Sequence, residues 1–186
     1  MAKILIVIDM QNDFVHGDLG TPQAINIIPN IVKKLEEYTE NRNGHWIYFT
    51  KDTHNNLNYL NTQEGKFLPI KHCIADSRGW DIVDELRPYA ARTTAKEVIE
   101  KRQFGTFNFV KIFEEDEECI DSIELCGVCT DICVITNALI LKTAFPEIPI
   151  YVDPACCAGT TQEKHLAALE VMKSCQIIVD GGERNI

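Results

Sequence analysis

The sequence lacks a long hydrophobic run. No window approaches the roughly 20 consecutive apolar residues that a membrane-spanning helix needs. The apolar run at residues 4–8 is too short for the hydrophobic region of a secretion signal, and no small-residue cleavage site follows it. These absences exclude a membrane partner and predict a cytoplasmic location.

Positive charge is also scarce. The chain has 18 Lys and Arg against 28 Asp and Glu, a formal net charge of −10, and no local cluster of basic residues. A phosphate backbone would be repelled by such a surface, which predicts no nucleic-acid partner. With 186 residues, 45% of them hydrophobic, and with no repeat, linker or low-complexity tract, the chain is expected to form one domain over residues 1–186.

Cysteine is plentiful, with eight residues. Without a secretion signal, these are expected to be reduced thiols rather than a disulfide framework. Most are expected to be small buried hydrophobic residues, as Cys126 and Cys175 are within their apolar runs. A catalytic cysteine must therefore be identified by its position.

Short apolar runs rich in β-formers alternate with segments of helical periodicity. Strands are predicted at residues 3–9, 45–50, 97–101, 122–126, 148–152 and 176–179. Helices are predicted at residues 22–42, 80–86, 107–114, 131–145 and 162–174. This alternation predicts an α/β fold, a doubly wound three-layer α/β/α arrangement with a six-stranded parallel sheet.

Ligands of such folds bind at the carboxyl ends of the strands, so the residues after each strand are the candidate site. Asp9 ends the first predicted strand, directly after a run of aliphatic residues. Burial there can shift the pKa of its carboxyl toward the range of a general base. The strand alone leaves open the alternative of an Asp that only caps a turn.

The second predicted strand leads into a possible metal site. Asp52 and His54 are two residues apart on extended chain, and His72 follows 18 residues after His54. Two imidazoles and a carboxylate suit Zn²⁺, Mn²⁺ or Fe²⁺. The spacing leaves a surface Asp with two loop histidines as the alternative. The irregular stretch at residues 51–79 is long enough to favour a functional loop.

Lys101 ends the third predicted strand, next to Arg102. Lys101 either supplies positive charge to the crevice or extends to solvent, as lysines at strand ends commonly do. Arg102 is a rival for the same role.

The fourth predicted strand runs through a glycine turn into a helix, in residues 126–134 (CGVCTDICV). Cys133 is predicted in the first helical turn, where the helix dipole favours the thiolate and free N–H groups can hold an oxyanion. Cys129 precedes the predicted helix, so its thiolate would not be favoured by the helix dipole. A Cys–His dyad is disfavoured, because His16, His45 and His165 follow no strand and are interpreted as surface or core residues.

These features together resemble the isochorismatase-like cysteine hydrolases. The resemblance is carried by Asp9, by Lys101 and by residues 127–134 (GVCTDICV). It covers nearly the whole chain, from residues 7–14 (VIDMQNDF) through residues 153–165 (DPACCAGTTQEKH) to the last strand. It implies the strand order 3-2-1-4-5-6 and a homodimer or homotetramer.

The resemblance also implies roles for the residues at the strand ends. Asp9 matches the general base, Lys101 the catalytic lysine and Cys133 the nucleophile. The N–H groups of Cys129 and Cys133 match the oxyanion hole, next to a cis peptide between Val128 and Cys129.

Within the superfamily, Asp52, His54 and His72 match the metal ligands of the nicotinamidase branch, which implies one divalent metal ion: Zn, Mn or Fe. Phe14 matches an aromatic residue that lines the substrate pocket. The implied reaction converts a small-molecule amide, nicotinamide, to nicotinate and ammonia through a thioester, and feeds NAD salvage.

The chain departs from the nicotinamidase pattern at several positions. Where many nicotinamidases have a Trp-Pro-Pro-type segment, this chain has residues 67–72 (FLPIKH), with Phe67 as the nearest substitute for the pocket aromatic. Cys129 replaces the usual Ala. The remaining ligand position has several candidates in this loop, Asn55, Asn56, Asn58 and Glu64.

Two alternatives to nicotinamide hydrolysis therefore stay open. One is a hydrolase of the same superfamily that acts on an N-carbamoyl or ureido compound. The other is a non-catalytic metal- or ligand-binding protein on the same fold.

Overall fold

The computed structural model describes residues 1–40, 44–91 and 98–180. Its strands are β1 (Ala2–Ile8), β2 (His45–Asp52), β3 (Val98–Lys101), β4 (Ile120–Val128), β5 (Ile150–Ala158) and β6 (Ile178–Val179). They form one sheet of six parallel strands in the order β3-β2-β1-β4-β5-β6. The predicted fold class and strand order are confirmed.

The helices occupy the connections between the strands. They are α1 (Asn12–Val15), α2 (Pro22–Asn26), α3 (Ile28–Glu40), α4 (Gln63–Phe67), α5 (Arg87–Ala90), α6 (Asn108–Phe113), α7 (Ile135–Ala144) and α8 (Gln162–Ser174). Single turns of 3-10 helix lie at Tyr59–Asn61 and Glu117–Cys119, and a π-helical turn lies at Thr130–Val134. Among the described residues, no helix is both long and apolar enough to cross a membrane.

The core centres on β1, between β2 and β4. Every side chain from Ile4 to Ile8 is fully buried, although successive residues point to opposite faces of the sheet. An uninterrupted aliphatic run of this kind is typical of a parallel strand covered by helices on both faces. Because β1 is central, the residue that follows it, Asp9, lies in the middle of the carboxyl edge.

The first predicted helix, residues 22–42, is divided in the structure into α2 and α3 with Ile27 between them. The side chain of Thr21 caps α2 by accepting a hydrogen bond from the N–H of Ala24 (3.1 Å), and Pro22 begins the helix. Residues 41 and 42 lie outside the described part of the chain, as does Glu97 of the third predicted strand.

The helix predicted at residues 80–86 is wrong. Ile82 forms an antiparallel bridge with Gln11, and the N–H of Val83 donates to the carbonyl of Met10 (3.0 Å). These long-range bonds hold the segment against the residues that follow β1. The helix in this region is α5, which begins only at Arg87.

Three strands run further than predicted. β2 continues to Asp52, β4 to Val128 and β5 to Ala158. At the end of β4, Gly127 has φ +115°, and a Cβ there would collide with the main-chain oxygen of Ile8. Only glycine therefore fits where β4 passes β1. The peptide bond between Val128 and Cys129 is cis, as the resemblance implied.

Candidate active site and metal-binding cluster

Asp9 is completely buried directly after β1, with a positive φ of 47°. Its main-chain N–H donates to Thr50 Oγ1 (3.1 Å), and the Thr50 hydroxyl donates to Asp9 Oδ1 (2.6 Å). Burial raises the pKa of this carboxyl above its ordinary value, and the nearby Lys101 ammonium opposes that rise. The carboxyl is thus held in one orientation and made more basic than an exposed aspartate.

Lys101 is buried at the end of β3 instead of extending to solvent, whereas Arg102 is exposed. The Lys101 Nζ atom lies 2.6 Å from Asp9 Oδ2 and 3.6 Å from the Cys133 sulfur. Burial alone would lower the pKa of Lys101, but the carboxylates of Asp9 and Asp52 outweigh it, so the pKa is raised. The side chain is therefore a fixed cation, and Arg102 is excluded as its rival.

Cys133 lies in the π-helical turn after β4, and its side chain is buried. Burial and the Asp9 carboxylate raise the pKa of the thiol well above its ordinary value, although Lys101 acts in the opposite direction. This is opposite to the lowering expected from the helix start, and loss of solvation is the largest cause of the rise. A thiol with a raised pKa needs a base to form the thiolate, and the Asp9 carboxyl is within hydrogen-bonding reach of Cys133.

Cys129 is the residue before the turn, and its carbonyl accepts from the N–H groups of Ile132 (3.0 Å) and Val134 (3.1 Å). Burial, with the Asp131 carboxylate, raises the pKa of its thiol to about 12. Cys129 thus belongs to the turn around Cys133, as its place in the sequence predicts.

The turn is held from the start of α8. The Asp131 carboxylate accepts from the N–H (2.8 Å) and the hydroxyl (2.6 Å) of Thr160. Thr130 Oγ1 lies 2.8 Å from His165 Nδ1. His165 is buried, and burial lowers the pKa of its imidazole. His165 is thus a core residue, one of the two interpretations that the sequence left open, and it supports the turn.

The three predicted metal ligands lie together beside this group. His54 Nε2 is 2.8 Å from Asp52 Oδ2, and His72 Nε2 is 3.5 Å from the same oxygen. Glu64 Oε1 joins them, 3.6 Å from each imidazole nitrogen. The four ligand atoms lie within 4.8 Å of one another. Two imidazoles and two carboxylates in this arrangement fit a divalent transition-metal ion.

Neighbouring groups orient these ligands. The Gln11 side chain donates to the carbonyl of Asp52 (2.9 Å) and accepts from its N–H (2.7 Å), so it holds both peptide groups of Asp52. His72 Nδ1 lies 2.9 Å from the carbonyl oxygen of Ile70, which leaves Nε2 turned toward the cluster. Tyr59 packs edge-on against both imidazoles, with ring centroids 4.9 Å from His54 and 5.3 Å from His72. Support of this kind raises the basicity of metal ligands and fixes their geometry.

Hydrogen bonds within the cluster shift the pKa values of Asp52 and His72. Burial would raise the pKa of Asp52, but hydrogen bonds from His54 and His72 outweigh it and lower the pKa. Burial would lower the pKa of His72, but its hydrogen bonds to Asp52 and Glu64 raise that pKa to about 10. Asp52 and His72 therefore each favour the charged form of the other.

Comparison with known proteins identifies the family. Residues 3–182 match the isochorismatase domain. The chain belongs to the isochorismatase family. It is 31% identical over 178 residues to an uncharacterized isochorismatase family protein, PncA, of Bacillus subtilis (strain 168), a match that covers 91% of this chain and 93% of that one. Members of this family are hydrolases, and this chain is one of them.

Two solved structures show the same fold at similar length. Nicotinamidase/pyrazinamidase PncA of Bacillus subtilis superposes with a TM-score of 0.81 at 28% identity, and covers 96% of this chain and 99% of that one. Pyrazinamidase of Pyrococcus horikoshii in complex with zinc superposes with a TM-score of 0.78 at 25% identity, and covers 97% and 99% of the two chains. These relatives confirm the nicotinamidase branch that the sequence resemblance implied.

The two predicted pocket aromatics differ in placement. Phe14 is half-buried, with its ring centroid 5.4 Å from that of His72, so it packs beside the metal-ligand cluster. Phe67, at the end of α4, is 82% exposed. The structure therefore does not bring Phe67 into a buried pocket of this isochorismatase-family site.

Some residues of the site were not singled out by sequence reasoning. Glu64 was one of several candidates in its loop, and only the folded loop distinguishes it from the three asparagines. Thr50 and Tyr59 carry no chemical signature of their own. Thr50 has a weak signal in its position, since it lies two residues before Asp52 and therefore on the same face of β2.

Proposed function

We propose that this hydrolase is a metal-dependent cysteine amidohydrolase that converts nicotinamide to nicotinate and ammonia. The observation that carries the proposal is the contact of Lys101 with both halves of the site. Its ammonium lies 2.6 Å from Asp9, 3.6 Å from the Cys133 sulfur and 3.6 Å from Asp52. A nucleophile, its base and a metal-ligand cluster thus share one small space.

The first half of the reaction forms a thioester. Asp9 accepts the thiol proton of Cys133, and Lys101 stabilises the negative charge of the thiolate. The thiolate attacks the amide carbonyl, and the N–H groups of Cys129 and Cys133 donate to the oxyanion. One such donor is typically worth roughly 2.7–4 kcal/mol in the transition state. Protonated Asp9 then gives its proton to the departing nitrogen, which leaves as ammonia.

The second half hydrolyses the thioester. Asp9, again ionised, accepts a proton from water as the water attacks the thioester carbonyl. The proton returns to Cys133 as the acid product leaves. The raised pKa of Asp9 suits a group that must both accept and donate a proton in one cycle.

The metal-ligand cluster supports a divalent ion as part of the site. Asp52, His54, Glu64 and His72 would hold it. When bound, such an ion supplies a Lewis acid that can orient the ring nitrogen of a pyridine carboxamide. The ring of Phe14 beside His72 offers an apolar wall for the same substrate. The zinc complex of the Pyrococcus horikoshii relative supports zinc as a candidate.

One assay separates this function from its alternatives. Purified protein is treated with a chelator, resupplied with Zn²⁺, Mn²⁺ or Fe²⁺, and given nicotinamide or an N-carbamoyl amine while ammonia is measured. We expect ammonia from nicotinamide. Turnover of the carbamoyl compound alone would establish the other hydrolase, and bound metal without ammonia from either would establish a binding protein.

The nucleophile is tested in the same assay. Cys133→Ala is expected to abolish ammonia release, whereas the matched variant Cys129→Ala keeps it, because only the main chain of Cys129 takes part. The reverse outcome would identify Cys129 as the nucleophile.

The cytoplasmic location predicted from the sequence remains a proposal, as does the homodimer or homotetramer implied by the resemblance. Light scattering of the purified protein tests the oligomer.

A further inference from the structure

One buried amide joins the two elements that carry Lys101 and Cys133. Asn137, in the first turn of α7, is 1% exposed. Its Nδ2 donates to the carbonyl oxygens of Cys133 (2.8 Å) and Phe104 (3.2 Å), and its Oδ1 accepts from the N–H of Thr106 (3.0 Å). The side chain therefore holds the main chain of the nucleophile and the loop that follows the lysine.

Strand pairing by itself positions Lys101 weakly. Among the described residues, β3 comprises four residues at the edge of the sheet, and Lys101 is the last of them. Cys133 follows β4, which is three positions away in the strand order. The distance between the lysine nitrogen and the sulfur therefore depends on contacts outside the sheet.

The loop after Lys101 packs closely on α7. A Cβ at Gly105 would meet Ile140 Cδ1 at 2.6 Å and Thr136 Cγ2 at 2.7 Å, so the loop's main chain lies directly against the helix surface. Asn137 supplies the hydrogen bonds of this contact. Its amide is well suited to the place because one short side chain offers both donors and an acceptor.

We propose that Asn137 is a positioning residue for the hydrolysis, and that its amide sets the separation between the Lys101 ammonium and the Cys133 sulfur. The inference rests on the proposed cysteine-hydrolase function. Asn137 itself does not touch the reacting atoms; it acts through the two residues that do.

Three charged groups face the thiol, each from a different strand end: Asp9 from β1, Asp52 from β2 and Lys101 from β3. The two carboxylates oppose formation of the thiolate, and the ammonium favours it. A shift of Lys101 away from the sulfur therefore makes the thiol harder to ionise and slows its attack. Binding of substrate, which the proposed function assigns to the Phe14 side of the site, should change little.

The test compares Asn137→Asp with Asn30→Asp. The first variant keeps the shape of the side chain but removes both donors at neutral pH. Asn30 is a matched control, because its Nδ2 also donates to a main-chain carbonyl, that of Ala155 (2.7 Å), but on an exposed part of α3. We expect Asn137→Asp to lower kcat for nicotinamide by about 10- to 100-fold, the scale of a displacement near 1 Å. KM should change by less than about 2-fold, and the control should retain the wild-type kcat.

A second measurement needs no substrate. The rate at which iodoacetamide alkylates Cys133, followed by peptide mass spectrometry between pH 7 and 10, is expected to fall several-fold in Asn137→Asp and to stay at the wild-type value in Asn30→Asp. Because a carboxylate at position 137 would itself oppose the thiolate, the uncharged variant Asn137→Leu, of similar size, is measured beside Asn137→Asp. A merely structural role would leave the alkylation rate of folded Asn137→Leu at the wild-type value, whereas the proposal expects it to fall several-fold. If the wild type fails to release ammonia from nicotinamide, the proposed function fails, and the alkylation rates still decide the role of Asn137.

Thermal unfolding separates folding from positioning. If Asn137→Asp does not fold, Asn137→Ser, which keeps one donor, takes its place in both measurements. A variant that melts at a lower temperature but keeps the wild-type kcat and the wild-type alkylation rate would overturn the proposal and leave Asn137 a structural residue only.

Discussion

The Lys101 ammonium lies 3.6 Å from a carboxylate oxygen of Asp52, on the neighbouring strand. Asp52 and Lys101 are partners in the parallel register of β2 and β3, and both end their strands. The contact joins the Asp9–Lys101–Cys133 group to the four-residue metal-ligand cluster. A substitution at Lys101 is therefore expected to affect both the Asp9–Lys101–Cys133 group and the metal-ligand cluster.

Removing the Lys101 charge should affect activity and stability together. In Lys101→Met, the carboxyl of Asp9 stays buried without its cation, and breaking a buried pair in this way typically costs about 3–5 kcal/mol of unfolding free energy. We expect urea unfolding to show a decrease of that order in the free energy of unfolding, and the variant to release no measurable ammonia. The double variant Asp9→Asn/Lys101→Met removes both charges and should recover most of the stability but none of the activity. A single variant as stable as wild type would contradict the buried ion pair.

The metal-ligand cluster predicts an order of zinc affinities. Asp52→Asn removes a buried ligand, so it should weaken zinc binding by more than about 100-fold, whereas Gln11→Leu, which only frees the main chain of Asp52, should weaken it by about 10- to 100-fold. The zinc affinity of Glu64→Gln is expected to lie between those of wild type and Asp52→Asn, since the Glu64 side chain is 23% exposed.

Competition with a chelator measures these zinc affinities. Asp18→Asn, which changes an exposed carboxylate, is the matched control. Wild-type zinc affinity in Asp52→Asn would place the metal elsewhere.

Thr50 predicts a shift in the pH dependence of activity. Burial raises the pKa of Asp9, and the hydrogen bond from the Thr50 hydroxyl lowers it. Asp9 acts as a base only when ionised, so kcat/KM should rise with pH through a value above the ordinary 3.8 of an aspartate. Thr50→Val removes the donor, raises the pKa of Asp9 further and moves this acid limb to higher pH.

The matched control for Thr50→Val is Thr39→Val, which removes a threonine hydroxyl bonded to a carbonyl on α3 and should leave the limb in place. An unmoved limb in Thr50→Val would show that another group titrates there.

Alanine substitution of two glycines with positive φ is expected to lower the free energy of unfolding by unequal amounts. A methyl group at Gly44 (φ +94°) would make an ordinary contact with the main-chain oxygen of Met1 at 3.5 Å, whereas a methyl group at Gly127 would collide with the backbone of Ile8. Gly44→Ala should cost about 1–2 kcal/mol, the usual penalty of the left-handed region. Gly127→Ala should cost about 1–3 kcal/mol more, because it also forces β1 and β4 apart. Urea unfolding checks both, and equal costs would contradict the close strand contact.

Much of the fold was predictable because its signals are local. The aliphatic run before Asp9 and the threonine cap and proline at the start of α2 each act through neighbouring residues. The helix predicted at residues 80–86 failed for the opposite reason. Its residues suit a helix, but hydrogen bonds to Met10 and a bridge to Gln11, about 70 positions earlier, hold the segment in another conformation.

By itself, the sequence determined the family and, through its resemblance, the strand order, because short uninterrupted apolar runs separated by helical segments mark the parallel strands. It placed the ends of β2, β4 and β5 too early. Only the tertiary structure decided the direction in which the pKa values of Cys133 and Lys101 are shifted, the choice of Glu64 over the asparagines of its loop, and the link through Asn137. Burial and ion pairing set those properties, and both depend on residues that are distant in the chain and adjacent only in the fold.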